Sequence, residues 1–152
     1  LYVPYVAGWW NKLTNGEWEV FRETAMKILQ REAELSDIVR IVGVEALPEE
    51  DKLVLEIARM IREDFLQQSA YVPKDAYSPP EKDHMIMKCI MEFYSRAKEA
   101  VAKGIPVSKI RELRSRTLIA RMKYYTIDEL RSGVYEEVAK AIQHDFESLL
   151  KG

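Results

Sequence analysis

Apolar residues recur along most of this chain at intervals of three and four positions, the spacing that places them on one face of an α-helix. The pattern predicts helices over residues 16–34, 34–42, 48–68 and 80–103, and a last helix that follows Thr126. The inward stripe of the second helix would be Leu35, Ile38, Val39 and Val42. Residues 105–125 are less regular, and 118–125 are the best candidate for a strand. We predict an all-α fold, a bundle of about five to six helices.

Residue types at the predicted helix ends support these boundaries. Asn15 suits the N-cap of the first helix, and Gly43 suits the position just past the end of the second. Pro48 suits the first turn of the third helix, where the missing N–H leaves no bond unmade. Thr126 and Glu129 form the T-x-x-E capping box that begins the last helix.

Composition narrows the class of protein. Of the 152 residues, 47% are hydrophobic and 32% charged, which is typical of a folded globular domain. The formal net charge of −2 gives no overall attraction to nucleic acid or to a membrane surface. Cys89 is the only cysteine, and its place on an apolar stripe predicts an inert core thiol in a cytosolic setting. No apolar run reaches the roughly 18 residues that a membrane-spanning helix needs.

The residue types needed for catalysis do not cluster anywhere in the sequence. The glycines are scattered singly, so neither a phosphate loop nor a dinucleotide-binding fingerprint can be drawn. His84 and His144 lie far apart without cysteine partners, and each is expected to be a surface residue or one satisfied in the core. The sequence therefore suggests a part of a larger machine rather than a self-contained enzyme.

The most specific string is the acidic elbow, residues 45–51, which links the second and third predicted helices. Its acids Glu49, Glu50 and Asp51 lie in the first turn of a helix, where carboxylates meet the positive end of the helix dipole. Taken alone, this pattern is that of a well-capped helix start. It also suits a tip that contacts another protein, and the residues alone leave both interpretations open.

Two further segments could carry function. A proline-containing loop after Phe65 holds Tyr71 and Tyr77, which could bracket a flat ring by stacking or simply pack the loop onto the bundle. The basic stretch, residues 109–123, carries six basic residues against one acid. It could be a solvated helix face, or it could bind nucleic acid or an acidic partner. The lack of a recognition-helix pattern argues against nucleic acid.

Three strings together resemble a known family: W-W at positions 9–10, E-A-L-P-E-E-D-K at 45–52 and I-R-E-D-F-L-Q-Q at 61–68. They resemble the C-terminal helical domain of the catalytic A subunit (alpha chain) of archaeal A-type and eukaryotic V-type rotary ATP synthases/ATPases. The resemblance covers nearly the whole chain. The distant F-type catalytic beta subunit has D-E-L-S-E-E-D in the place of residues 45–51, from which Ala46 and Pro48 depart. The non-catalytic B subunit is a closer rival, but D-F-L-Q-Q favours the catalytic one.

The resemblance implies a division of the chain and a set of sites. Residues 1–15 would lead in from the upstream nucleotide-binding domain, and residues 16–152 would be the C-terminal helical domain of this larger multidomain subunit. Tyr71 and Tyr77 would contact the adenine ring of ATP or ADP. The residues that contact the central stalk would be Glu45, Leu47, Pro48, Glu49, Glu50 and Asp51.

The resemblance also implies that the chemistry lies elsewhere. The phosphate loop, the magnesium-binding acid and the general base would belong to the upstream domain, so no catalytic or metal-binding residue is expected here and the chain alone should be inactive. The parent subunit would alternate with B subunits in the ring of a proton- or sodium-translocating enzyme. That ring would be cytoplasmic and peripheral on the membrane, without membrane insertion or nucleic acid. A free-standing helical adaptor and a helical nucleic-acid-binding domain remain as alternatives.

Overall fold

The computed structural model describes the backbone of residues 3–66 and 81–151, with side chains from residue 16 onward. No β-strand occurs in this part of the chain, and the predicted all-α fold is confirmed. The helices are α1 (Val3–Val42), α2 (Glu49–Met60), α3 (Glu81–Ala102), α4 (Val107–Arg111), α5 (Arg114–Arg121) and α6 (Tyr135–Lys151). A π-helical turn, Ile61–Leu66, continues α2, and the turns Ile127–Glu129 and Leu130–Val134 lead into α6.

Helix α1 is continuous, so both the predicted N-cap at Asn15 and the predicted break at Glu34 are wrong. Beyond its first turn the helix holds no proline, and the 2.9 Å ion pair between Arg31 Nη1 and Glu34 Oε2 forms at the i, i+3 spacing of a helical turn. Leu35, with 0% exposure, continues the buried face of Ile28 past this point. A helix with a continuous buried face and no breaking residue has no reason to end there.

The end of α1 at Gly43 is as predicted. Gly43 has φ +87°, a conformation that residues with a side chain rarely adopt, and its N–H donates to the carbonyl of Val39 at 2.8 Å. A 3₁₀ turn, Val44–Ala46, then connects α1 to α2. Pro48 is the N-cap of α2, one position before the first helical turn in which it was predicted to lie.

Helix α3 carries much of the core. The sequence predicts an inward stripe of eight residues on this helix, and seven of them are buried: Met85, Ile86, Cys89, Ile90, Phe93, Ala97 and Val101. The eighth, Tyr94, is half-buried, and Met87, Met91 and Ala100 are buried although the stripe does not include them. Phe93 meets Phe146 of α6 edge to face, with 5.1 Å between ring centroids. Cys89 is buried, as predicted, and burial raises the pKa of its thiol to about 12, so the reactive thiolate does not form at neutral pH.

The segment 118–125, the best candidate for a strand, is not a strand: its residues belong to the end of helix α5 and to the 3₁₀ turn Met122–Tyr124. Ile119 and Met122 are both 0% exposed. Their spacing of three positions fits one face of a helix, whereas residues that share a face of a strand are two apart. The burial pattern of this segment is therefore helical.

The capping box after α5 is confirmed. The N–H of Glu129 donates to Thr126 Oγ1 at 3.1 Å, and the N–H of Thr126 donates to Glu129 Oε1 at 2.9 Å. The predicted last helix is nevertheless interrupted. Gly133 has φ +146°, outside the helical region, and the regular helix α6 begins only at Tyr135.

Candidate functional site

The acidic elbow has an outward and an inward set of side chains. The side chain of Glu45 is 92% exposed, and Ala46, Pro48 and Glu50 are also exposed. Leu47 turns inward and is only 7% exposed. Leu47 therefore supports the elbow from within, whereas the residues around it form its outer surface.

The acids Glu49 and Asp51 are engaged with the fold. Glu49 Oε1 accepts a 2.8 Å hydrogen bond from the backbone N–H of Val107, and its Oε2 lies 3.0 Å from Lys52 Nζ. These contacts hold the pKa of Glu49 below its usual range, and the hydrogen bond from Val107 has the largest effect. Asp51 Oδ1 lies 3.5 Å from Arg31 Nη2. The two acids thus tie α2 to α4 and to α1, while the acid between them is exposed.

Four apolar side chains beside the elbow are exposed, and we call them the apolar flank. They are Ile38 at 42%, Ile41 at 83%, Val42 at 56% and Val44 at 41%. The prediction that Ile38 and Val42 face inward is wrong, because a helical stripe shows which residues share a face but not whether another element covers it. Exposed apolar side chains grouped in this way are typical of a protein-contacting surface.

The two tyrosines predicted to contact adenine, Tyr71 and Tyr77, lie outside the described residues. The chain on either side of them is described. Before them, Phe65 is 7% exposed, and its ring centroid is 5.7 Å from that of Trp18 on α1. After them, α3 begins at Glu81. The structure therefore gives the positions of the flanks between which the two tyrosines fall.

His84 occupies one of the two environments expected for it, a place in the core. It is 1% exposed, its ring lies 6.0 Å from that of Trp18 and 5.9 Å from that of Phe21, and its Nε2 is 3.1 Å from Glu17 Oε1. Burial lowers the pKa of His84, against the opposite effect of Glu17. His144 is exposed on α6, the other environment expected.

Three cations of the basic stretch reach into the fold. Arg116 Nε donates to Glu56 Oε2 at 2.9 Å, and Arg111 Nε donates to Oε1 of the same carboxylate at 3.0 Å. Arg116 Nη1 also lies 3.5 Å from Asp64 Oδ2, and Lys123 Nζ lies 3.7 Å from its Oδ1. Glu56 is 5% exposed and Asp64 3%, so both are buried charges that need partners. These five residues form the buried ion-pair network.

Sequence reasoning missed both buried carboxylates, although their positions carried a signal. Glu56 and Asp64 are two turns apart on the third predicted helix and interrupt its apolar stripe, where an acid requires a cation. Burial raises the pKa of Asp64, against the opposite effects of Arg116 and Lys123. Three of the six cations of the basic stretch pair with these buried carboxylates, and Lys109, Arg114 and Arg121 are exposed, so the stretch is a solvated face only in part.

The start of α3 holds a buried acid, Asp83, next to a partly buried lysine, Lys82. Asp83 is 2% exposed, and burial raises its pKa to about 6, although Lys82 acts in the opposite direction. Lys82 Nζ donates to the backbone carbonyl of Lys123 at 2.8 Å, and burial lowers the pKa of Lys82. Polar groups thus bind the first turn of α3 to the segment after α5.

The described residues contain neither a candidate metal site nor a candidate membrane-spanning helix. No three or more His, Cys, Asp or Glu side chains among residues 16–66 and 81–151 are arranged to hold a metal ion. No helix in the described part of the chain combines the length and the apolar character that crossing a bilayer requires.

Comparison with known proteins assigns the chain to a family. Residues 7–111 match the family described as the C-terminal domain of V and A type ATP synthase. The A subunit of the A-type ATP synthase of Staphylothermus marinus is 53% identical over 155 residues, covering 99% of this chain and 25% of that relative. The A subunit of Methanopyrus kandleri is 48% identical over 151 residues, with the same two shares. That of Thermococcus onnurineus is 49% identical over 124 residues, 82% of this chain and 21% of the relative.

This chain spans about a quarter of the length of the curated relatives that it matches. The share is 25% for the subunits of Staphylothermus marinus and Methanopyrus kandleri. The family match and the identity to these A subunits agree with the all-helical architecture and with the resemblance seen in the sequence. The chain therefore belongs to the family of C-terminal domains of V- and A-type ATP synthases, and it corresponds to that region of the A subunit.

Proposed function

We propose that the chain is the helical part of the ATP-binding catalytic subunit of a proton- or sodium-translocating rotary ATP synthase/ATPase, and that it links nucleotide state to the central stalk. The observation that carries the proposal is the exposed surface of the elbow, in a chain 53% identical to the A subunit of an A-type ATP synthase. The sequence contains no phosphate loop. ATP hydrolysis would therefore depend on the rest of the subunit, and this region would contribute binding and movement.

Contact with the stalk would rely on shape more than on charge. Exposed ion pairs contribute only about 0–1 kcal/mol each. Covering a large apolar side chain contributes about 1.5–3 kcal/mol, and Ile41 and Val42 of the apolar flank are 83% and 56% exposed. Beneath this surface, Glu49 and Asp51 connect α2 to α4 and α1, so a load on the elbow would move these helices together.

Nucleotide contact would lie at the other end of α2. We propose that Tyr71 and Tyr77 stack on the adenine ring of ATP or ADP, just beyond the π-helical turn that ends at Leu66. Helix α2 and this turn together span about 27 Å at 1.5 Å per residue. The upstream domain would hold magnesium, B subunits would complete the ring, and the assembly would lie on the cytoplasmic face of the membrane.

Substitutions in the assembled complex can separate shape from charge at the elbow. Glu45→Gln with Glu50→Gln removes outward charge, and Ile41→Ser with Val44→Ser removes apolar bulk from the flank. We expect the first pair to keep most of the torque in single-molecule rotation and the second pair to lower it, since exposed ion pairs contribute little.

The control is Glu147→Gln, which removes an exposed acid from α6 and should leave torque unchanged. A near-complete loss of torque from the two glutamine substitutions alone would contradict contact by shape. Unchanged torque in both double variants would contradict any role of the elbow in stalk contact.

A further inference from the structure

Lys123 connects the two described segments that flank residues 67–80. Its Nζ donates to the backbone carbonyl of Glu63 at 3.0 Å, in the π-helical turn that follows α2. Its own backbone carbonyl accepts a 2.8 Å hydrogen bond from Lys82 Nζ, in the first turn of α3. Lys123 therefore contacts the chain both before and after residues 67–80. We call Glu63, Lys82 and Lys123 the bridge.

The ammonium group of Lys123 is held in place by the buried ion-pair network. Its side chain is 18% exposed, and Nζ lies 3.7 Å from Oδ1 of Asp64, which is 3% exposed. Asp64 is in turn 3.5 Å from Arg116 Nη1. Hydrogen bonds with a charged donor are stronger than neutral ones. The bridge is therefore anchored on a buried carboxylate, unlike Lys109, the other lysine of the basic stretch, which is exposed.

A second contact fixes the same end of α3. Arg131 Nε donates to Glu81 Oε1 at 2.6 Å, from the turn that leads into α6. The first two residues of α3 are thus both bound to the segment between α5 and α6. That segment has its own apolar anchor, since Met122 is 0% exposed. The ammonium of Lys123 therefore acts on the placement of the flanks rather than on the packing of the core.

We propose that Lys123 is a positioning residue for nucleotide binding. By fixing the two flanks relative to each other, it sets where the residues between them meet the base of a purine nucleotide. The proposal rests on the proposed function, which assigns adenine contact to Tyr71 and Tyr77. It gives the basic stretch a role that neither nucleic-acid binding nor a solvated helix face provides.

The test uses the full-length subunit in the assembled complex. Lys123→Met removes the ammonium and keeps the stem, Lys123→Arg restores a cation, and Lys109→Met is the matched control because Lys109 is exposed on α4. We expect Lys123→Met to raise the KM for ATP roughly three- to tenfold, the effect of loosening a ring-stacking contact. The kcat should change by less than about twofold, since the phosphate chemistry would lie elsewhere.

A second ligand separates the base from the phosphates. Inhibition by magnesium tripolyphosphate, which has no base, should be the same in Lys123→Met as in the wild type. Lys123→Arg should recover most of the ATP affinity, and Lys109→Met should leave it unchanged. Lys82→Met breaks the other side of the bridge and should raise the KM in the same way, which keeps the test available if Lys123→Met fails to assemble.

The outcomes distinguish this inference from the proposed function. If Tyr71→Ala raises the KM for ATP but Lys123→Met and Lys82→Met do not, the positioning role is wrong and adenine contact stands. If Tyr71→Ala and Tyr77→Ala both leave the KM unchanged, adenine contact itself is wrong and the inference fails with it. An equal loss of tripolyphosphate binding would show general damage and would also overturn the positioning role.

Discussion

Removing Arg116 should destabilise the fold strongly, because two buried carboxylates lose a cation. The side chains of Arg116, Glu56 and Asp64 are 14%, 5% and 3% exposed. Removing one partner of a buried ion pair typically costs about 3–5 kcal/mol. Arg111 still bonds Glu56 and Lys123 still faces Asp64, so we expect the lower end of this range, about 3 kcal/mol.

The assay is urea unfolding of the 152-residue chain, followed by far-UV circular dichroism. Arg116→Met keeps the aliphatic stem and removes the guanidinium. With a urea dependence of about 2 kcal/mol per molar, a loss of about 3 kcal/mol lowers the midpoint by about 1.5 M. The control is Arg121→Met on the same helix, which is exposed and should change stability by no more than about 0.5 kcal/mol.

Equal shifts in the two variants would refute the reasoning, because burial and pairing would then make no difference. A stricter test combines Arg116→Met with Glu56→Gln. Residues in direct contact show a coupling energy of about 0.5–3 kcal/mol, so the double variant should be less destabilised than the sum of the single ones. Strict additivity would contradict the 2.9 Å hydrogen bond between these side chains as a source of stability.

Two further predictions concern a buried acid and the proposed adenine contact. Burial raises the pKa of the Asp83 carboxyl from 3.8 to about 6, so the folded state binds the carboxyl proton more tightly than the unfolded state does. The stability that this proton contributes is fully present below about pH 4 and is lost as the pH rises through about 6. In urea unfolding, Asp83→Asn should therefore be more stable than the wild type by about 1–3 kcal/mol at pH 7.5 and by little at pH 4. An equal difference in stability at the two pH values would contradict this prediction. Tyr71→Ala or Tyr77→Ala in the full-length subunit should weaken ATP binding by about 1 kcal/mol or more in a nucleotide titration, and an unchanged affinity would leave these residues as packing.

The features that depend on local signals were predictable from the sequence. Helices α2 and α3 have apolar stripes at helical spacing and nearby end signals, and both lie close to their predicted positions. Gly43 and the capping box of Thr126 and Glu129 act over a few residues, so their residue types are enough to identify them. The elbow was predictable for the same reason.

The features that depend on distant partners were not predictable. Glu56 and Arg116 are separated by 60 positions in the sequence. A pattern can show that an acid interrupts a buried stripe, but it cannot show which cation reaches it. The exposure of Ile38 and Val42 likewise depends on which elements cover the end of α1. The inward position of Leu47 depends on the same packing.

The unbroken course of α1 has a mechanical consequence. The helix runs for 40 residues, about 60 Å at 1.5 Å per residue. α1 is braced against the following elements by Arg31 on Asp51 and by Arg62, whose Nη2 lies 2.6 Å from Glu32 Oε2. A flexible joint at residue 34 would bend under load and store part of the work as elastic deformation. Without such a joint, α1 offers no point at residue 34 where the domain would bend. Under the proposed role, the compliance of a rotary motor would then reside in elements other than this helix.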